Sequence, residues 1–193
     1  MKNALIDYIS RFMTLTDEET SAILDLNLFK NFKKGTILLS EGELSNEGYF
    51  VIKGCIRCYY IINGEEKTTA FYTESESLSP LCSINHKPSE YFVSCIEDSI
   101  LVVANSDMEK IMFERFPRFE TLCRIISEEL VVTKQAIFDE FKTSTPEQRY
   151  LNLVKTRPDL IQRVPQYQLA SFLGMKPESL SRIRKRLTAQ ESH

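Results

Sequence analysis

The sequence predicts an α+β chain in which short antiparallel strands, gathered into a sandwich, roll or barrel, are flanked by helices and followed by a wholly helical C-terminus. Three observations predict it. Five of the six glycines (Gly35, Gly42, Gly48, Gly54 and Gly64) punctuate β-rich runs between positions 35 and 64. Residues 118–141 repeat apolar side chains at steps of three and four. A basic stretch near the end, QLASFLGMKPESLSRIRKRL (168–187), spaces its apolar positions as two crossing helices would.

The elements follow in order. The opening MKNALIDYISRFMTLTDEE mixes charge into its apolar positions, so it reads as an amphipathic helix and not as a signal peptide. No segment approaches the ~18 continuous apolar residues of a membrane span, and a cytoplasmic location without membrane partners is expected. Residues 4–12 and 17–29 are expected as helices. Thr16 is the N-cap of the second, and Glu19 three residues on makes a capping box. Strand-like runs follow at TILLS, YFVIK and CIRCYYII. Asn63-Gly64 is then a strong signal for a two-residue hairpin, because both central positions of a type I′ turn need positive φ. TTAFY, YFVSCI and SILVVA complete a β region over roughly 30–105. Residues 106–116 read as a short helix opened by Ser106, and Pro117 suits the start of the next.

That next segment is the longest regular stretch. Phe119, Leu122, Ile126, Leu130, Thr133, Ile137 and Phe141 recur at steps of 3, 4, 4, 3, 4 and 4, and Ile125, Val132 and Ala136 widen the stripe. The stripe is longer than a small β-domain needs for cover. Phe119, Leu122, Ile126, Leu130, Thr133 and Ile137 are therefore expected as a coiled-coil seam with a partner, most simply a second copy. A core helix within one chain is the competing reading. TSTP (143–146) then breaks the pattern. The expected domains are 1–117, a sensor-like β-domain; 118–142, a dimerisation helix; and 143–193, a basic helical domain.

Charge separates the two ends. The whole chain is at −3, yet residues 142–193 carry ten basic and four acidic side chains, a net of +6, and the preceding residues sum to −9. An acidic body with a basic end suits a polyanionic partner. Five cysteines (Cys55, Cys58, Cys82, Cys95, Cys123) are an odd, scattered set that reads as reduced thiols. Cys55 and Cys58 form a CxxC, but in a strand-like run side chains three apart point to opposite faces, so buried small hydrophobes are expected over a metal or redox pair. His86 and His193 are too isolated to complete a zinc site, and neither a metal nor another cofactor is expected.

After Pro146, EQRYLNLVK reads as a helix and Arg157-Pro158 as a turn. Counted from Gln166, the fourth, fifth, eighth, ninth, fifteenth and eighteenth residues are Leu169, Ala170, Leu173, Gly174, Leu180 and Ile183. Small Ala170 lets two helices cross closely, and Gly174 takes the left-handed turn at low cost. With Leu187 these leucines and Ile183 form a shared core: a helix-turn-helix. Pro177 and Glu178 open the second helix favourably. Its outer face then carries Glu178, Ser179, Ser181 and Arg182 as base-reading residues, with Arg182 able to donate twice to guanine and Glu178 to accept from cytosine. Lys176, Arg184, Lys185 and Arg186 are expected to hold phosphates. An i,i+4 ion pair between Glu178 and Arg182 is the plainer alternative for those two.

The chain now resembles the Crp/Fnr family of bacterial transcription regulators along almost all its length. ESLSRIRKRL (178–187) is similar to the family's recognition helix with its Glu, Ser/Thr and Arg. The resemblance implies a cyclic-nucleotide-binding-like β-roll (a double-stranded β-helix), a dimer helix and base reading by Glu178, Ser179 and Arg182. It implies three partners: a pseudo-palindromic duplex, a second copy and RNA polymerase. Three departures qualify it. Pro177 stands where many members have an arginine. The stretch corresponding to the family's phosphate grip, ESLSPLCSINHKPSEYFVSC (76–95), has no glycine and no arginine, only Lys87 as a full cation, and Ser89-Glu90 where Arg-Ser/Thr is usual. Cyclic AMP is therefore not expected to bind, and the effector is unknown. Neither the iron–sulfur cysteine cluster nor a haem histidine of other members is matched. Finally, residues 188–193 leave no room for the family's β-wing, so fewer phosphate contacts and more reliance on dimerisation are expected.

A rival reading is a protein-interaction adaptor whose basic helix docks on an acidic partner. Nothing points to an enzyme: no catalytic residues emerge from a nucleophile–base pair, P-loop or metal triad.

Overall fold

The strand-like runs pair into two four-stranded sheets. The computed structural model describes residues 2–26 and 28–191; His193 lies outside them. One sheet has the order β1 (Phe29–Phe32), β8 (Ser99–Asn105), β3 (Glu47–Lys53), β6 (Ser77–Leu78). The other has the order β2 (Ile37–Leu39), β7 (Phe92–Cys95), β4 (Ile56–Ile62), β5 (Glu65–Tyr72). β8 pairs antiparallel with both β1 and β3, and the β3 register slips between Val51 and Lys53. The expected β region is thus a two-sheet antiparallel roll. The Asn63-Gly64 turn joins β4 to β5 with φ of 54° and 78°, as a type I′ hairpin needs.

The chain divides into two compact units, Met1–Cys58 with Phe71–Val131, and Tyr59–Ala70 with Val132–His193. The long helix runs unbroken through the division, and the β4–β5 hairpin belongs with the C-terminal helices.

In the first unit, α1 (Lys2–Ser10) and α2 (Asp17–Asp25) precede the strands. Thr16 and Glu19 form the expected reciprocal cap. Glu19 is buried and also pairs with Arg118 at 3.2 Å, which ties α2 to the start of the long helix α5 (Arg118–Thr143). Residues 17–29 are not one helix. Leu26, Leu28 and Phe29 have spacing that suits either element, but the edge of β8 offers ladder bonds, and Leu28 accepts from the Val103 N–H at 2.9 Å. Phe29 accordingly opens β1, opposite Val102. α4 (Ser106–Arg115) is capped by Asn105, one residue earlier than expected, through its bond from the Met108 N–H. α3 (Leu81–Asn85) forms within the 76–95 stretch.

The first turns of α5 are spent on this unit's own core. Phe119 and Leu122 are buried with Leu5, Ile23, Phe50, Ile52 and Val102, and Ile126 packs against them. Phe119 and Leu122 thus serve this unit's own core, as the competing reading has it, while Ile126 is half-buried beside them. Beyond them the stripe opens: Leu130 is half-buried, Thr133 is exposed, and Val131, Val132, Ile137, Phe138 and Phe141 are exposed apolar side chains. Cys55, Cys58, Cys82 and Cys95 are buried and Cys123 is exposed. Among the described residues no helix is long and apolar enough to cross a membrane.

Candidate nucleic-acid interface

Four helices build the C-terminal region, and local sequence explains each start. α6 (Pro146–Thr156) has Pro146 in its first turn and a second reciprocal cap, in which Thr145 accepts from the Gln148 N–H and Gln148 returns the bond. α7 (Pro158–Arg163) is a short helix where a bare turn was expected; Pro158 starts it and Leu160 anchors it, buried. α8 (Gln166–Phe172) and α9 (Pro177–Glu191) are the two helices of the helix-turn-helix.

The packing positions read from the sequence are those the structure buries. Ala170 and Leu180 are fully buried, and Leu169 and Leu173 nearly so, alongside Tyr150, Leu153, Leu160 and Val164 from α6, α7 and the link to α8. Ile183 and Leu187 are half-buried on the same side of α9. Burying one leucine contributes about 2 kcal/mol, so this row of apolar contacts is what sets the angle between α8 and α9.

Gly174 makes the turn. Its φ is +68°, and a Cβ there would lie 2.9 Å from both the Arg149 guanidinium and the Phe141 ring. Those two neighbours form a joint that sequence reasoning missed. Arg149 stacks over Phe141 at 4.2 Å and donates from Nη1 to the Leu173 carbonyl at 2.7 Å. It thereby satisfies an end carbonyl of α8 and links the helix-turn-helix to the last turn of α5. Its signal is only a lone arginine in a helix; nothing local marks it.

With Leu180 inward, the outer face of α9 presents Glu178, Arg182 and Lys185 to solvent, with Ser179 and Ser181 half-buried on either flank. Among the described residues no ion pair joins Glu178 to Arg182, so both side chains point to solvent without each other. Lys176, Arg184 and Arg186 are exposed too, but two of these have partners: Arg184 donates to Gln166 at 3.3 Å and Arg186 pairs with Glu147 at 2.6 Å. Such exposed pairs are worth about 0–1 kcal/mol, little enough for a phosphate to displace. The face is a ridge of cations around one carboxylate, beside an open depression lined by Gln166, Ser181, Arg184, Lys185, Thr188 and Ala189.

The 76–95 stretch is built differently from an anion grip. The Ser89 hydroxyl is buried and turned onto its own loop, donating to the Tyr91 carbonyl at 2.7 Å, while Glu90 and Lys87 are exposed. The one buried basic side chain among the described residues is Arg57 on β4, which the sequence reading did not single out. Among the described residues no group of three or more metal-ligating side chains comes together.

Residues 29–115 match the cyclic nucleotide-binding domain family. No curated protein matches the chain by sequence. Solved structures match the fold over nearly all of it. The catabolite activator protein of Thermus thermophilus is 18% identical with a TM-score of 0.53, covering 93% of this chain and 87% of that one. The c-di-GMP-responsive global regulator CLP of Xanthomonas campestris is 14% identical with a TM-score of 0.68, covering 91% and 93%. A CooA variant from Carboxydothermus hydrogenoformans is 19% identical with a TM-score of 0.67, covering 93% and 88%.

Proposed function

We propose that this chain, which carries a cyclic nucleotide-binding domain at 29–115 and has the fold of Crp/Fnr-type regulators, is a sequence-specific DNA-binding transcription regulator that acts as a homodimer. The single observation that carries the reading is the outer face of α9. Glu178 and Arg182 stand unpaired to each other and exposed, backed by a buried Leu180 that fixes their direction. In this reading Glu178, Ser179, Ser181 and Arg182 face base edges in the major groove, and Lys176, Arg184, Lys185 and Arg186 hold phosphates.

The homodimer reading rests on the exposed half of α5. A soluble helix rarely shows Val131, Val132, Ile137, Phe138 and Phe141 to water in one run, and a second α5 laid alongside would cover them. Leu130, Thr133 and Ile137 remain in the proposed seam; Phe119, Leu122 and Ile126 serve the protomer's own core. Two recognition helices about 34 Å apart would then read a pseudo-palindrome. RNA polymerase is the proposed partner downstream, and a small molecule other than cyclic AMP the proposed effector. The roll as a pure scaffold is the variant of this reading without an effector.

The experiment is selection of duplexes from a random pool by the purified protein. Enrichment of a two-fold symmetric site supports the reading. Enrichment of nothing, alongside binding of an acidic protein by the same helix, would replace it with the adaptor.

A further inference from the structure

Only Ser144 and Thr145 separate the end of α5 from the start of α6, and their backbone torsions alone do not fix the angle between the two helices. Side chains that reach across must fix it. Asn152 on α6 donates to Glu140 on α5 at 2.7 Å, and Arg186 on α9 pairs with Glu147 on α6 at 2.6 Å. Both ties lie at the surface, where such contacts are weak. Arg149 is different. It is half-buried, its guanidinium lies 4.2 Å from the centre of the Phe141 ring, and its Nη1 donates at 2.7 Å to the Leu173 carbonyl that ends α8. Its Nε is buried with no hydrogen-bond partner among the described residues, so the ring and Nη1 carry its hold. The next residue, Gly174, lies so close that a Cβ there would meet both Arg149 and Phe141 at 2.9 Å. One side chain of α6 thus touches the end of α5 and the turn of the helix-turn-helix at once.

We propose that Arg149 is the positioning residue of the helix-turn-helix: it sets the angle of α9 against the end of α5 and, through that angle, the spacing of the two half-sites that a dimer reads. The proposal rests on the homodimeric DNA-binding reading above and adds what determines its geometry. α9 has 15 residues, about 22 Å of helix, so a tilt of about 10° at the joint moves its far end by about 4 Å. That exceeds the roughly 3.4 Å between stacked base pairs, and in a two-fold dimer both helices move. A guanidinium suits the task because its plane stacks on a ring while its edge donates, so one rigid group fixes two directions. A lysine keeps the charge and lacks the plane.

The test offers the full-length protein, Arg149→Met and Arg149→Lys a pool of duplexes in which the spacer between two half-sites varies in length. The parent's preferred site is then titrated at several salt concentrations. Methionine keeps an unbranched stem and favours helix, so α6 is retained. The expected result is one sharp spacing for the parent and neighbouring spacings admitted by both variants. The parent's site should bind the variants about tenfold more weakly, as for a lost base contact, with an unchanged salt slope. A slope flattened by about one would make Arg149 a phosphate contact and overturn the positioning role. A variant that keeps the parent's single spacing, whatever its affinity, also overturns it and leaves the DNA reading standing. Phe141→Leu removes the ring and keeps apolar cover on α5; it should broaden the spacing in the same way, and it decides the question if the Arg149 variants do not fold. A parent that enriches no symmetric site overturns the DNA reading and the positioning role with it.

Discussion

Leu180 and Arg182 lie two positions apart on α9, one fully buried and one open to solvent, and the difference follows from the helical repeat alone. That makes Arg182 separable from folding. Replacing it with Ala should cost about 1–3 kcal/mol at the selected site and relax one base position, with little change on random duplex. Equal losses on both duplexes in a binding titration would make it a phosphate clamp. Gly174 was legible for the same kind of reason, because a left-handed turn between two amphipathic segments names its residue. Arg149 was not, since its partners Phe141 and the Leu173 carbonyl come from segments separated in sequence. Arg57 was hidden likewise: a charged residue in a strand reads as solvated, yet here the side chain is buried.

At the scale of elements, periodicity identified α5 but not what covers each part of it. A heptad-like stripe reports that a helix is buried along one side, and it carries no information on whether its cover is the same chain or another. The roll and entry helices take Phe119 and Leu122, and the later turns stay exposed. Ile137→Glu should therefore weaken the dimer while leaving the protomer folded, which sedimentation at graded concentration would read as a shift to monomer with an unchanged circular dichroism spectrum. An unshifted dimer would reject the seam. The capping box at Thr16 and the Asn63-Gly64 hairpin were legible because their chemistry is local. β1, β6, α3 and α7 were not. Each is short, and partners distant in the chain decide its form, as β8 does for Phe29.

At the scale of the whole molecule, the sequence joins an acidic body to a cationic end, and two structural features stand out. The first is the 76–95 stretch, where Ser89 spends its hydroxyl on Tyr91 and Glu90 stands exposed. A bound ligand at a hundred times its Kd would add about 2.7 kcal/mol of stability. Cyclic AMP at millimolar concentration should leave Tm unchanged; a clear rise would show that this stretch grips a cyclic phosphate without an arginine. The second is the hold of Ser171 on the edge of β5, where its hydroxyl accepts from the Thr68 N–H at 2.9 Å and donates to the Glu66 carbonyl at 3.1 Å. It could not be read from sequence because a serine at that place in α8 looks like an ordinary surface position.

The most direct measurement is an anisotropy titration of the selected duplex and a scrambled duplex at several salt concentrations. The account predicts a preference of at least about a thousandfold for the selected site, with log affinity falling steeply against log salt as phosphate-bound counterions are released. Equal affinity for both duplexes, or none at low salt, would contradict it.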